Sequence, residues 1–149
     1  MAIEGSILMS PTQNLRRQHR EILRLTTEIA PLLDAHSLAV DASTMRRLLS
    51  TLAGTLAVHF SMEDRVMYPK LFAHPDITVS SIARRYAEDM GNIRDLFIEY
   101  FKRWATPEAI QQDSGTFIRD TSRLFSSLTR RVAREDTELY PIVDMVGLG

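Results

Sequence analysis

His59-Phe60-Ser61-Met62-Glu63-Asp64-Arg65-Val66-Met67-Tyr68-Pro69 is the stretch on which the fold turns. Leu48, Leu52 and Leu56 lead into it at four-residue spacing, and His59, Glu63 and Val66 carry the same stripe onward. That spacing keeps all six on one face of a helix. His59 and Glu63 therefore sit where apolar residues are expected, one turn apart, and can grip a single ion. Tyr68-Pro69 is expected to break the helix, because proline lacks an amide hydrogen and clashes with the preceding turn. The stretch then occurs again. Arg131-Val132-Ala133-Arg134-Glu135-Asp136-Thr137-Glu138-Leu139-Tyr140-Pro141 aligns on it without gaps, 72 positions later, with Glu, Asp, Tyr and Pro at matching offsets.

Working outward from the repeat, the chain reads as four long helices. The first spans about 11 to 35, with Ser10-Pro11-Thr12-Gln13 as a capping box and Pro31 as a kink or stop. Its inward stripe is Leu15, His19, Ile22, Leu23, Ile29 and Leu33. A loop is expected near 36–41, then the second helix from about 43 to 67. The third spans about 79 to 104, with Ile82, Tyr86, Met90, Ile93, Phe97, Tyr100 and Trp104 inward. Thr106-Pro107-Glu108 caps a new start, Asp113-Ser114-Gly115 is a possible interruption, and the fourth helix runs to about 139. Its stripe is Phe117, Thr121, Leu124, Leu128, Arg131 and Glu135. Short connections between long helices favour antiparallel neighbours. The expected architecture is all-α: an antiparallel up-down four-helix bundle over 11–146, made of two repeated helical hairpins. Residues 1–10 and 147–149 read as tails. Gly54 and Gly91, inside helices, suggest close helix approach.

Composition narrows the function. The 149 residues suit one domain, which buries roughly 68–70% of its unfolded surface at this size. The net charge of −1 offers no electrostatic case for nucleic acid or an anionic membrane. No apolar run approaches membrane-spanning length. The N-terminal stretch is acidic where a signal peptide is basic, so a cytoplasmic protein is expected. With no cysteine, a metal must be held by histidine and carboxylate, donors that suit iron, manganese or zinc. The candidate ligands are His19, His59, Glu63 and Glu135. His36 and His74 fall in expected loops. Tyr68 and Tyr140 are expected at the bundle end with their hydroxyls outward, or else as supports behind the ligands. No nucleophilic triad or phosphate loop is present, so no catalytic residue is assigned.

These motifs resemble the hemerythrin, or HHE cation-binding, family, over about residues 12 to 143. The resemblance implies a four-helix bundle holding two irons. Its pattern carries over to His19, His59, Glu63 and Glu135, with Asp136 as a possible extra carboxylate. Met90, Arg94 and Arg131 stand where the ligands of the second metal are expected. Arginine stays protonated and has no lone pair to offer a metal. The resemblance therefore implies at most one metal, in a non-catalytic regulatory protein of oxygen, redox or iron response. The alternative is a metal-free protein-interaction module, in which Arg94 and Arg131 neutralise Glu63 and Glu135, with bidentate guanidinium–carboxylate pairing. A di-iron oxidoreductase or repair activity would need two open metal positions. The protein partner and the oligomeric state are not specified by the sequence.

Overall fold

The computed structural model of the protein describes residues 10–148. The N-terminal tail, apart from Ser10, lies outside them, as does Gly149. The described residues form helices and no strand. None of these helices is long and apolar enough to cross a membrane.

The helices are α1 (Gln13–Ile29), α2 (Ala35–Val40), α3 (Ala42–Met62), α4 (Tyr68–Phe72), α5 (Ile77–Arg103), α6 (Pro107–Gln112), α7 (Ser114–Arg134) and α8 (Tyr140–Val146). Their starts follow from short polar side chains that accept the orphan amides of a first turn. Asp34 accepts from Ser37 N at 2.8 Å, Asp41 from Thr44 N at 3.0 Å and Asp76 from Thr78 N at 2.9 Å. Thr106 accepts from Ala109 N at 3.1 Å and Asp113 from Thr116 N at 3.3 Å. Asp113 thus divides the last long segment at the expected interruption.

Four local expectations are corrected. The loop expected at 36–41 is helix α2, because Asp34 caps it. The capping box at Ser10 does not form: the Thr12 hydroxyl donates instead to Asp144 Oδ1 at 2.8 Å, tying the start of α1 to α8. Neither Tyr68-Pro69 nor Tyr140-Pro141 breaks its helix. Each follows a wide π-turn, Glu63–Met67 and Glu135–Leu139, bridged by Tyr68 N–H to Glu63 O and Tyr140 N–H to Glu135 O. Each proline then occupies the first turn of a new helix, where its missing donor is tolerated. Gly54 and Gly91 do not mark close approach, since a Cβ built on either meets nothing within 4 Å.

The core consists of two hydrophobic clusters with a polar layer between them. One gathers Ile22, Leu56, Met90 and Leu128; the other gathers Leu15, Met67, Tyr86 and Leu139. His19, His59, Glu63, Arg131 and Glu135 lie between these residues along the chain, and all are buried. Within the stripes, Leu25 and Leu49 are buried where Leu23 and Leu48 were expected, and Val66 is exposed.

Candidate metal centre

The polar layer is built from facing helix sides. α1 supplies His19 and α3 supplies His59 one turn before Glu63. α7 supplies Arg131 one turn before Glu135. His19 Nε2 lies 3.1 Å from His59 Nε2 and 3.1 Å from Glu135 Oε1. His19, His59 and Glu135 form a buried group whose donor atoms all lie within 4.8 Å of one another. Glu63 Oε2 is 3.5 Å from His59 Nε2, while Glu135 Oε1 is 3.9 Å from it.

The outer ring nitrogens fix the tautomers. His19 Nδ1 is 2.8 Å from Asp136 Oδ1, and His59 Nδ1 is 2.8 Å from Gln18 Oε1. Both partners are acceptors, so both Nδ1 atoms carry the proton. In neutral rings the two Nε2 atoms then turn lone pairs to each other and to the Glu135 carboxylate. Acceptors alone converge there, and a cation relieves that arrangement. Neutral imidazole oriented by an outer acceptor is the usual state of a metal-binding histidine.

Tyr140 reaches the same point. Its hydroxyl is 2.9 Å from Glu63 Oε2, 3.2 Å from His19 Nε2 and 3.4 Å from His59 Nε2. The expected outward direction of Tyr68 and Tyr140 is thus corrected: both are buried with their hydroxyls inward. In a continuous α-helix, five steps of about 100° would leave each tyrosine about 140° around from its glutamate. A π-turn closes i to i+5, so the tyrosine returns to nearly the same face as the glutamate.

Arg131 points inward and is 4% exposed. Its Nε lies 3.5 Å from Glu135 Oε2, close enough for Coulomb attraction but not aligned as a hydrogen bond. Nη2 donates to Tyr68 Oη at 3.0 Å and to the Tyr86 carbonyl at 2.9 Å, and the guanidinium lies 4.8 Å from the Tyr86 ring centroid. The expected bidentate pairing with carboxylate is therefore not made. Arg94 does not enter the layer at all: it pairs with Asp64 at the surface and stacks over Phe60. Phe60 offers it a ring face with access to water, which an alkyl–guanidinium side chain can use without desolvating its charge. Met90 is apolar core. Asp136 stands behind His19 rather than beside its Nε2, so it orients that ring instead of adding a carboxylate to the centre.

Charges in the layer are unequal. Burial, together with the Glu135 charge, raises the Glu63 pKa well above the usual carboxylate range. Burial also acts on Glu135, but its contact with His19, the nearby His59 and the charge of Arg131 outweigh it, so Glu135 is held far below that range. Burial lowers His59 and favours the neutral ring, with Glu135 opposing in part. Burial and the two glutamates push the Tyr140 hydroxyl upward. Glu63 Oε1 and Glu135 Oε2 have no hydrogen-bond partner despite being buried. Such orphaned oxygens need an explanation, and an ion is one.

Sequence reasoning missed Gln18, the acceptor that sets the His59 ring. It lies off the apolar stripe, and its only signal is its place beside His19. It also missed the Tyr86 carbonyl and ring that hold Arg131, which no side-chain pattern reports.

The fold and this layer define a helical domain with a buried histidine–carboxylate cluster. Residues 10–143 match the hemerythrin HHE cation binding domain family. The match covers most of the chain, and the protein belongs to that family. Neither a curated protein nor a solved structure matches it.

Proposed function

We propose that the protein binds one first-row metal ion, iron, manganese or zinc, through His19, His59 and Glu135, with Glu63 at the edge of the site. The observation that carries this reading is the convergence of two Nε2 lone pairs, fixed by Asp136 and Gln18, on a buried carboxylate. The metal would supply the positive charge that these acceptors lack. The residues that would serve a second metal do not fit one: Met90 is apolar core, Arg94 is at the surface and Arg131 is a fixed cation. With one metal and an arginine in place of the other, the reading is non-catalytic and regulatory: occupancy, set by oxygen, redox state or iron supply, alters the fold or a protein contact. The intended setting is cytoplasmic.

The arrangement that supports this is an up-down bundle. Along α1 and α5 the chain passes from the cluster of Leu15 and Tyr86 to that of Ile22 and Met90. Along α3 and α7 and the π-turns that follow them it passes the other way, from Leu56 and Leu128 to Met67 and Leu139. Consecutive long helices so arranged are antiparallel, and the polar layer lies at the same level on each.

One observation favours a second reading, the metal-free interaction module. Arg131 already brings a positive charge to within 3.5 Å of Glu135. A titration of chelated protein with ferrous iron, zinc and manganese separates the two. Binding is expected in the wild type and lost in His59→Ala. Equal binding by that variant would place the metal elsewhere, and no binding by the wild type would favour the metal-free module.

A further inference from the structure

Tyr140 has no assigned role in metal binding, yet its oxygen is at the centre of the cluster. The residue is 0% exposed. Its ring stacks on His19 with centroids 5.1 Å apart and planes 17° apart. Its hydroxyl is within 3.4 Å of both histidine Nε2 atoms and 2.9 Å from Glu63 Oε2. A tyrosine that served only to hold Glu63 would need no approach to two imidazole lone pairs. Its single proton points to Glu63, so towards the histidines it offers only an oxygen lone pair. That is one more acceptor facing the same point.

We infer that Tyr140 is a direct oxygen donor to the metal, joining His19, His59 and Glu135; the inference rests on the mononuclear reading above. On coordination the phenol O–H bond breaks, an oxygen–metal bond forms, and the proton is released to the buffer. No electron moves. Phenolate is a hard, anionic ligand, so it suits a trivalent ion such as ferric iron better than a soft one. Glu63 then has a role distinct from that of Glu135: in the metal-free protein it holds the phenol hydroxyl at the cluster, 2.9 Å from its Oε2, while Glu135 faces the metal. The other phenols are engaged elsewhere. Tyr68 Oη accepts from Arg131 at 3.0 Å, Tyr86 donates to Glu138, and Tyr100 shares a hydrogen bond with Thr121 at 2.7 Å.

The test loads chelated full-length protein with ferric nitrilotriacetate, removes the excess, and measures iron content, visible absorption and resonance Raman scattering. Ferric phenolate absorbs strongly in the visible by ligand-to-metal charge transfer, and excitation there enhances tyrosine ring modes. The expected result is a coloured protein with those modes. The band is lost in Tyr140→Phe with iron still bound, and retained in Tyr68→Phe and Tyr86→Phe. Bound iron without the band in the wild type overturns the inference and leaves the metal reading standing. So does a band that persists in Tyr140→Phe or vanishes in Tyr68→Phe. No ferric iron in the wild type overturns the inference, and the titration with ferrous iron, zinc and manganese then decides the metal reading separately. Should Tyr140→Phe fail to fold, the wild-type spectrum and the other two variants still decide.

Discussion

Arg131 shows how one side chain can be legible in kind and misjudged in detail. Its place on the stripe with Leu124 and Leu128 marked it as inward, and it is buried. Its partners were not legible, because a guanidinium reaches several ångströms and chooses among oxygens that spacing does not locate. It takes the Tyr68 hydroxyl and the Tyr86 carbonyl, leaving only Nε toward Glu135. In the metal-free protein it is still the cation facing two buried carboxylates. Arg131→Ala should therefore destabilise the chelated protein by about 3–5 kcal/mol, as breaking a buried pair does. Urea unfolding with and without the substitution measures this. A loss below about 1 kcal/mol, typical of an exposed pair, would contradict its place in the layer. Arg94, read by the same logic, went to the surface because Asp64 and Phe60 offer it a wetter partner. Gln18 was invisible, since an acceptor behind a histidine leaves no periodic signal.

At the scale of elements, the repeated Glu-x-x-x-x-Tyr-Pro was visible as a repeat and misread as a break. Proline signals an interruption of helical bonding, but it does not say whether the chain turns away or widens. Here it widens, twice, at equivalent places. The extra residue in each π-turn aims Tyr68 and Tyr140 inward, and such turns gather at functional sites. Inserting an alanine after Thr137, which is exposed, should carry Tyr140 and α8 round by about 100°. We expect helical circular dichroism to be kept in α1 to α7 and metal binding to weaken at least about tenfold, the lower bound for losing a group that supports a site. Unchanged affinity in a titration of the insertion variant would show that the register of this turn does not position the site. Helix starts were legible in part: Thr106 and Asp113 act through neighbours three residues away and show in the sequence, whereas Asp34 caps a helix read as a loop and the capping box at Ser10 does not form.

At the scale of the whole molecule, two apolar clusters enclose a polar layer, and stability depends on how that layer is neutralised. Without metal, the raised pKa of Glu63 means its contribution is full below the unfolded value of about 4.3 and is lost as pH rises through the folded value. His59, lowered in the fold, contributes above its unfolded value of about 6.5 and loses that contribution as pH falls. Glu135, also lowered, acts in the same direction as His59 at more acidic pH. Glu63→Gln removes the first dependence. Its stability relative to wild type, from urea unfolding in chelator, should rise with pH above about 4.3 and level off once Glu63 is ionised. Parallel pH profiles would contradict the raised pKa. The general fold was readable from four apolar stripes and a repeat, whereas the neutralisation scheme needed the tautomers and distances of the assembled layer. A single metal with arginine in place of a second is the proposed state of the layer. Its most direct test is elemental analysis after titrating untagged, chelated protein with ferrous iron under argon. One iron per chain is the predicted result; two tightly held irons, or none, would contradict the account.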